Sequence, residues 1–133
     1  MSSQSLVCLD VGEKRIGVAV ADTSIKIAVA FDTIIVDGTE LNKIAEIVIR
    51  EGAKTIVIGY PRNQQGETTA QTAYVERFAE GLAEVAENIV FQDESLTSVK
   101  AEEFLNRQKK PYEKSDIDAL AASFILQDYL EQL

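Results

Sequence analysis

Apolar and polar positions alternate in short blocks over the first part of the chain, which predicts strands joined by tight turns. Residues 5–10 are apolar without clean alternation, as in a strand that is buried on both faces. The turn 11–14 contains Gly12 and leads to a second strand over 15–21, which so short a connection makes antiparallel to the first. A third strand, over 27–36, follows the next polar turn and completes an antiparallel unit.

The spacing of apolar residues changes near residue 41, where helical and strand patterns begin to alternate. Apolar residues recur at three- and four-residue intervals in the predicted helices, whereas the strands are short apolar runs. In chain order we predict a helix from Leu41 that ends at Glu51-Gly52, a strand over 55–59, a helix carrying Val75, Phe78, Leu82 and Val85, a strand over 89–92, a helix from Thr97 or Ser98 to about Gln108, and a last helix from Ser115 to near Leu130.

This order of elements predicts an α/β fold with an open five-stranded sheet. Each strand–helix–strand crossover requires parallel strands, so strands one, four and five should run together. If the hairpins fill one side of strand one, strand four must pair on its other side. In such sheets ligands bind beyond the carboxyl ends of the strands, at the point where the strand order reverses. Asp10 ends strand one and Glu94 follows strand five, so both should reach this edge.

Asp118 is a third acidic residue of interest, because it lies on the apolar side of the last predicted helix. It shares a face with Ala121, Ala122 and Ile125, and the small alanines would let this helix approach the sheet closely. An acid on such a face is costly unless it is paired or bound to metal. The alternative is structural, since Ser115 and Asp118 have the spacing of a capping box.

The other two acids also have structural interpretations. Asp10 could be only a turn former that accepts backbone hydrogen bonds, and Glu94 could be a solvated loop acid beside a functional Asp93. The chain has no histidine and one cysteine, Cys8, so carboxylate chemistry is almost all that it offers. Carboxylates gathered without histidine or cysteine favour a hard, oxygen-seeking cation such as Mg²⁺.

Basic residues are few, and their positions suggest contacts with phosphate. Lys14 and Arg15 lie in the first turn, and Arg62 precedes an amide-rich loop that begins with Asn63, near the end of strand four. A solvated surface would also explain each of these residues. The formal charge of −9 argues against binding nucleic acid by bulk electrostatics, so affinity should be modest and sensitive to salt. The densest basic cluster comprises Arg107, Lys109 and Lys110.

Composition places the chain among ordinary globular proteins. Its 133 residues, 46% of them hydrophobic, predict one domain over 1–133 with a substantial core. No apolar run approaches the roughly 20 residues of a membrane span, and the amino terminus does not resemble a signal peptide. Cys8 has no partner for a disulfide, which makes the cytoplasm the expected compartment.

Four sequence blocks resemble, in order, the motifs of one protein family. They are 10–19, 57–61 with Gly66, 93–97 with Ala101, and 117–122. The family is YqgF, also called RuvX, a group of nucleases that includes Holliday junction resolvase-like proteins. One block alone would be a weak match, but four that together span nearly the whole chain make a strong one.

The resemblance implies a ribonuclease H-like fold, with catalytic and metal-binding carboxylates at Asp10, Glu94 and Asp118. It implies hydrolysis of phosphodiester bonds in structured RNA with Mg²⁺ or Mn²⁺, and family members are associated with maturing the 5′ end of pre-16S rRNA. The chain departs from the family at two points. Ser95 stands where arginine is common, and proline is common near Ala30.

Three other functions fit parts of the pattern. A Holliday junction resolvase would use the same chemistry on branched DNA, but it needs two sites in a symmetric dimer, and the sequence leaves open whether the chain is a monomer or a weak homodimer. Sugar-kinase and actin-like ATPases share the Asp-x-Gly turn but enclose a nucleotide between two such domains, whereas 133 residues supply one. A non-catalytic nucleic-acid-binding module is the last alternative, which the acidic charge slightly favours.

Overall fold

A computed structural model describes residues 4–94, 97–108 and 111–133, with side chains described throughout these ranges except at 97–99. The strands are β1 (Ser5–Val11), β2 (Arg15–Asp22), β3 (Val29–Ile35), β4 (Thr55–Pro61) and β5 (Asn88–Glu94). The helices are α1 (Glu40–Glu51), α2 (Ala70–Glu80), α3 (Thr97–Arg107) and α4 (Lys114–Glu131). The predicted order of strands and helices is confirmed. None of the helices in the described ranges is long and apolar enough to cross a membrane.

The five strands form one mixed sheet in the order β3-β2-β1-β4-β5. The β1–β2 and β2–β3 pairs are antiparallel, whereas the β1–β4 and β4–β5 pairs are parallel. The strand order therefore reverses beside β1, as predicted, and Asp10 lies near the carboxyl end of that strand.

Two apolar cores hold helices against opposite faces of the sheet. The first packs Leu9, Ile58 and their neighbours against α1 and α2, and the second packs Cys8 and Val57 against α4. Side chains alternate between faces along a strand, so the residue after Leu9 lies on the α4 face. Asp10 is that residue, and α4 also carries Asp118.

The predicted extent of the second helix is wrong at its carboxyl end. α2 ends at Glu80, and beyond it the amides of Leu82 and Val85 donate to carbonyl oxygens three residues back, at 3.0 and 2.9 Å. Gly81 caps the helix, and glycine is a poor helix former. Leu82 remains fully buried, so apolar spacing continues through a turn that is not helical. β3 is also shorter than predicted, because it begins at Val29.

Candidate active site

A row of three residues crosses the sheet where β1 ends. Asp10 pairs with Gly17 on β2, and Gly17 pairs with Thr33 on β3. Residues opposite each other in adjacent strands share a face, so all three face α4. The Thr33 hydroxyl donates a 2.6 Å hydrogen bond to the carbonyl oxygen of Ser115, which ties the amino end of α4 to the row. The start of α4 is thereby fixed beside Asp10.

Gly17 brings the backbone of α4 into direct contact with the sheet. A Cβ atom at this position would overlap the carbonyl oxygen of Asp118 and lie 3.1 Å from the amide nitrogen of Ala119. Ala121 and Ala122 are fully buried one turn further along, which agrees with the predicted close approach of this helix. Asp118 therefore lies next to the residue that pairs with Asp10.

A second glycine, Gly59, makes room for Glu94. Gly59 follows Ile58, which pairs with Leu9 on β1, so Gly59 lies beside Asp10. A Cβ atom on Gly59 would lie 2.5 Å from Glu94 Oε2. The carboxyl group of Glu94 thus lies over Gly59 and comes close enough to Asp10 for the two carboxyl groups to share a proton.

The Asp10 and Glu94 carboxyl groups are difficult to ionise together. Burial raises the pKa of Asp10 to about 6; the charge of Asp118 adds to this rise, and the hydrogen bond to Glu94 opposes it. Burial raises the pKa of Glu94 to about 8, and both the charge of Asp10 and the hydrogen bond to it add to the rise. At neutral pH the two groups therefore share about one proton.

Arg15 pairs with Asp118 at the edge of this site. Its Nε atom lies 2.6 Å from Asp118 Oδ2, with the two side chains 34% and 21% exposed. The alternative that Asp118 belongs to a capping box with Ser115 is wrong, because the box lies two residues earlier. Glu113 is the N-cap of α4, and its amide donates a 2.9 Å hydrogen bond to Asp116 Oδ2. Asp118 is thus held by the guanidinium group of Arg15 and not by the helix terminus.

The donor set fits a divalent cation in part. Glu94 Oε2 is buried and has no hydrogen-bond partner among the residues that the structure describes. A cation beside Asp10 would satisfy that oxygen and replace the shared proton. Within the described ranges, however, no group of three or more acidic, histidine or cysteine side chains is arranged to hold a metal ion. Asp118 points to Arg15, so its role as a third ligand stays a prediction.

The predicted phosphate contacts fall into two groups. Lys14 and Arg15 line a cleft of about 400 Å³ that reaches Asp118. Arg62 lies at the end of β4, where its Nε atom contacts Asp93 Oδ1 at 3.0 Å. Asp93 alternates with Glu94 along β5 and therefore lies on the opposite face of the sheet.

Of the other predicted binding residues, Asn63 has a structural role, and part of the basic cluster lies outside the residues that the structure describes. Asn63 Oδ1 accepts hydrogen bonds from the amides of Gln65 and Glu67 at 3.0 and 2.8 Å, so its side chain shapes the loop after β4. Within the basic cluster, Arg107 is exposed at the end of α3. Ser95, Lys109 and Lys110 lie outside the described residues.

The sequence interpretation gave no role to Gly17 or Gly59. Both belong to the motif blocks quoted above, but a glycine within an apolar strand usually indicates only a bulge or a close contact. Only the strand registers of the structure place the two glycines on either side of Asp10, so the sequence alone held no specific signal for them. Each omits a side chain where a second acid approaches.

Comparison with known proteins assigns this chain to a family. A family model described as RuvX: Holliday junction resolvase matches residues 4–132. A protein of Chloroflexus aggregans is 43% identical over 98% of this chain and 96% of its own length, and one of Staphylococcus carnosus is 36% identical over 100% and 99%. Both carry the provisional name of pre-16S rRNA nuclease.

Solved structures agree on the fold. Thermus thermophilus RuvC in complex with a Holliday junction substrate superposes with a TM-score of 0.58 at 15% identity, over 97% of this chain and 94% of that one. A second structure of RuvC from Thermus thermophilus gives 0.55 at 10% identity, over 97% and 95%. The sheet order, the match along the whole chain and these likenesses agree. The chain therefore belongs to the RuvX family of ribonuclease H-like nucleases.

Proposed function

We propose that this chain, as one ribonuclease H-like domain in the cytoplasm, is a Mg²⁺- or Mn²⁺-dependent endo- or exonuclease that processes the 5′ end of pre-16S rRNA. The observation that carries the proposal is the buried Glu94 Oε2 beside the proton-sharing Asp10. Two carboxyl groups that are buried side by side without a cation cost folding free energy. Such costly pairs occur mainly at functional sites, where their shifted pKa values are used. The names of the relatives support the RNA substrate.

Asp10 and Glu94 would hold the cation, and Asp118 would complete its ligands. A bound divalent cation supplies an activated water and stabilises the leaving oxygen. Asp10 lies between the other two acids because glycines flank it on both neighbouring strands. The Glu94 side chain, once deprotonated, offers Oε2 without breaking any bond to a described residue.

Arg15 and Lys14 would position the substrate. Arg15 neutralises Asp118 at 2.6 Å, which lowers the repulsion that three nearby acids would otherwise experience. Lys14 is exposed in the same cleft and is available for a phosphate oxygen. With a formal charge of −9, the chain offers few other cations for binding RNA, so a divalent cation would also assist affinity.

Cleavage of branched DNA is the second candidate, because the family model is described as a Holliday junction resolvase. A precursor rRNA fragment with a 5′ extension and a four-way DNA junction should be compared at equal concentration, with Mg²⁺, Mn²⁺ or EDTA. We expect cleavage of the RNA with either metal and none with EDTA. Binding should weaken by at least about tenfold as salt rises from about 50 to 200 mM, since phosphate contacts release counterions. Faster cutting of the junction would assign the chain to DNA, and metal-independent cutting would contradict the proposal.

A further inference from the structure

A cleft of about 470 Å³ opens where β4 and β5 end, and two aromatic rings form part of its wall. Tyr60 and Phe91 pack edge to face, with their centroids 5.1 Å apart and their planes at 63°. The guanidinium of Arg62 lies 4.8 Å from the Tyr60 ring centroid. Phe91 is nevertheless 44% exposed. The cleft thus presents an uncovered ring that a second ring and a strand hold in place.

The remaining lining is polar and acidic. Gln92 and Gln132 contribute amides, and Glu76 and Asp93 contribute carboxylates. Asp93 already pairs with Arg62 at 3.0 Å, so the two acids outweigh the single cation. Such a lining repels phosphate but can bond to the donor and acceptor groups on the edge of a nucleobase. With only two rings as its apolar part, the cleft also suits a flat base better than an apolar peptide.

The cleft is close to the proposed catalytic pair. Phe91 precedes Glu94 by three residues on β5, which is about 10 Å along a strand. Their side chains lie on opposite faces of the sheet, and the lining of the cleft includes Gln92 from the same face as Glu94. β5 is an edge strand, so a single nucleic-acid strand could pass around its end. A duplex keeps its bases stacked inside and could not offer one to the cleft.

We propose that this cleft binds an unpaired base of the single-stranded RNA that flanks the cleaved bond, by stacking on Phe91. The proposal rests on the proposed nuclease function, which would place the flanking strand here. Stacking explains how an acidic protein can hold RNA with few phosphate contacts, because every base has an aromatic face.

The chain has no tryptophan, so Phe91→Trp would introduce one tryptophan into the cleft, and its fluorescence can be excited selectively in the presence of the four tyrosines. Phe104→Trp is the matched control, since Phe104 is 43% exposed and packs edge to face on Phe124 away from the cleft. Each variant should be titrated with an eight-nucleotide single-stranded RNA of mixed sequence and with its blunt duplex, at low salt with EDTA to prevent cleavage. We expect quenching of the Phe91→Trp signal by the single strand alone and no change for Phe104→Trp.

Affinity provides the second measurement. Phe91→Ala should weaken binding of the single strand by roughly 5- to 150-fold, and Phe91→Tyr should restore it. Circular dichroism checks that each variant is folded. If Phe91→Ala does not fold, the tyrosine and tryptophan variants still test the proposal. Equal quenching of both reporters, undetectable binding by the wild-type chain, or unchanged affinity in Phe91→Ala would overturn the proposal. Binding is measured in EDTA, where no cleavage is expected, so its result does not depend on nuclease activity. If the chain stacks RNA here but does not cut RNA in the cleavage assay with Mg²⁺ or Mn²⁺, only the proposed nuclease function is refuted.

Discussion

Glu94→Gln should lower metal-dependent cleavage by more than about 100-fold while leaving the fold intact. Removing groups that only orient a metal ligand costs about 10- to 100-fold, so the loss of a direct ligand should cost more. Glutamine keeps the shape of the side chain but cannot supply the charge. The matched control is Glu87→Gln, an exposed position just before β5, at the other end of that strand. Its cleavage rate should equal that of the wild type.

The same substitution should raise stability at pH 8 without metal. Folding raises the pKa of Glu94 from 4.5 to about 8, so in that range the folded chain binds more protons than the unfolded chain. The free energy of unfolding therefore falls as pH rises across this interval. Each tenfold rise in proton affinity corresponds to about 1.4 kcal/mol. We expect Glu94→Gln to melt at least about 3 °C above the wild type at pH 8 and at nearly the same temperature at pH 4.5.

Adding Mg²⁺ should reverse that order, because the wild type gains stability from binding and the variant does not. Thermal melts at pH 4.5 and pH 8, each with and without Mg²⁺, measure both effects. A variant that cleaves as fast as the wild type, or that is less stable at pH 8 without metal, would remove Glu94 from the proposed centre.

Gly17→Ala should have the largest effect on the fold near the site. Its new methyl group would overlap the carbonyl oxygen of Asp118, which belongs to the helix backbone and cannot rotate away. Overpacking typically costs about 1–3 kcal/mol, and we expect a loss at the upper end of this range. Even a displacement of about 1 Å at Asp118 can lower the rate about 100-fold, so cleavage should fall in the fraction that remains folded.

Gly81→Ala is the control for this substitution. Gly81 has an ordinary φ of −69°, and a Cβ atom there would lie 3.3 Å from the Phe78 carbonyl oxygen. Its stability should stay within about 0.5 kcal/mol of the wild type, with unchanged cleavage. Urea unfolding curves give the stabilities, and rates should be measured well below each melting temperature. Normal stability and cleavage in Gly17→Ala would show that the close approach of α4 does not position Asp118.

The fold could be predicted from the sequence because its determinants are local. Short hairpin turns require antiparallel strands and crossovers require parallel ones, and together these rules predict Asp10 and Glu94 at one edge of the sheet, where the structure has them. The end of α2 was missed, since Leu82 keeps helical spacing in a turn beyond Gly81.

The details of the site depend on contacts between distant residues. Arg15 pairs with Asp118 across 103 positions, and no local pattern distinguishes that from a phosphate contact. Ser115 and Asp118 have the spacing of a capping box, but α4 begins earlier and uses Glu113 and Asp116. The Tyr60–Phe91 pair requires the β4–β5 register, in which Phe91 lies opposite Ile58. Strand register and helix start are tertiary properties, so the sequence predicts the acids as candidates but not the residues that contact them.

The most direct test of the proposed centre is the number of protons released when Mn²⁺ binds the wild-type chain at pH 7. Isothermal titration in buffers of different ionisation enthalpy gives that number. Because the pKa values of Asp10 and Glu94 lie at about 6 and about 8, the pair holds about one proton at pH 7, and Mn²⁺ should displace most of it. Release should vanish in Glu94→Gln, together with most of the affinity. Mn²⁺ binding without proton release, or with equal affinity in Glu94→Gln, would place the metal elsewhere and contradict the assignment.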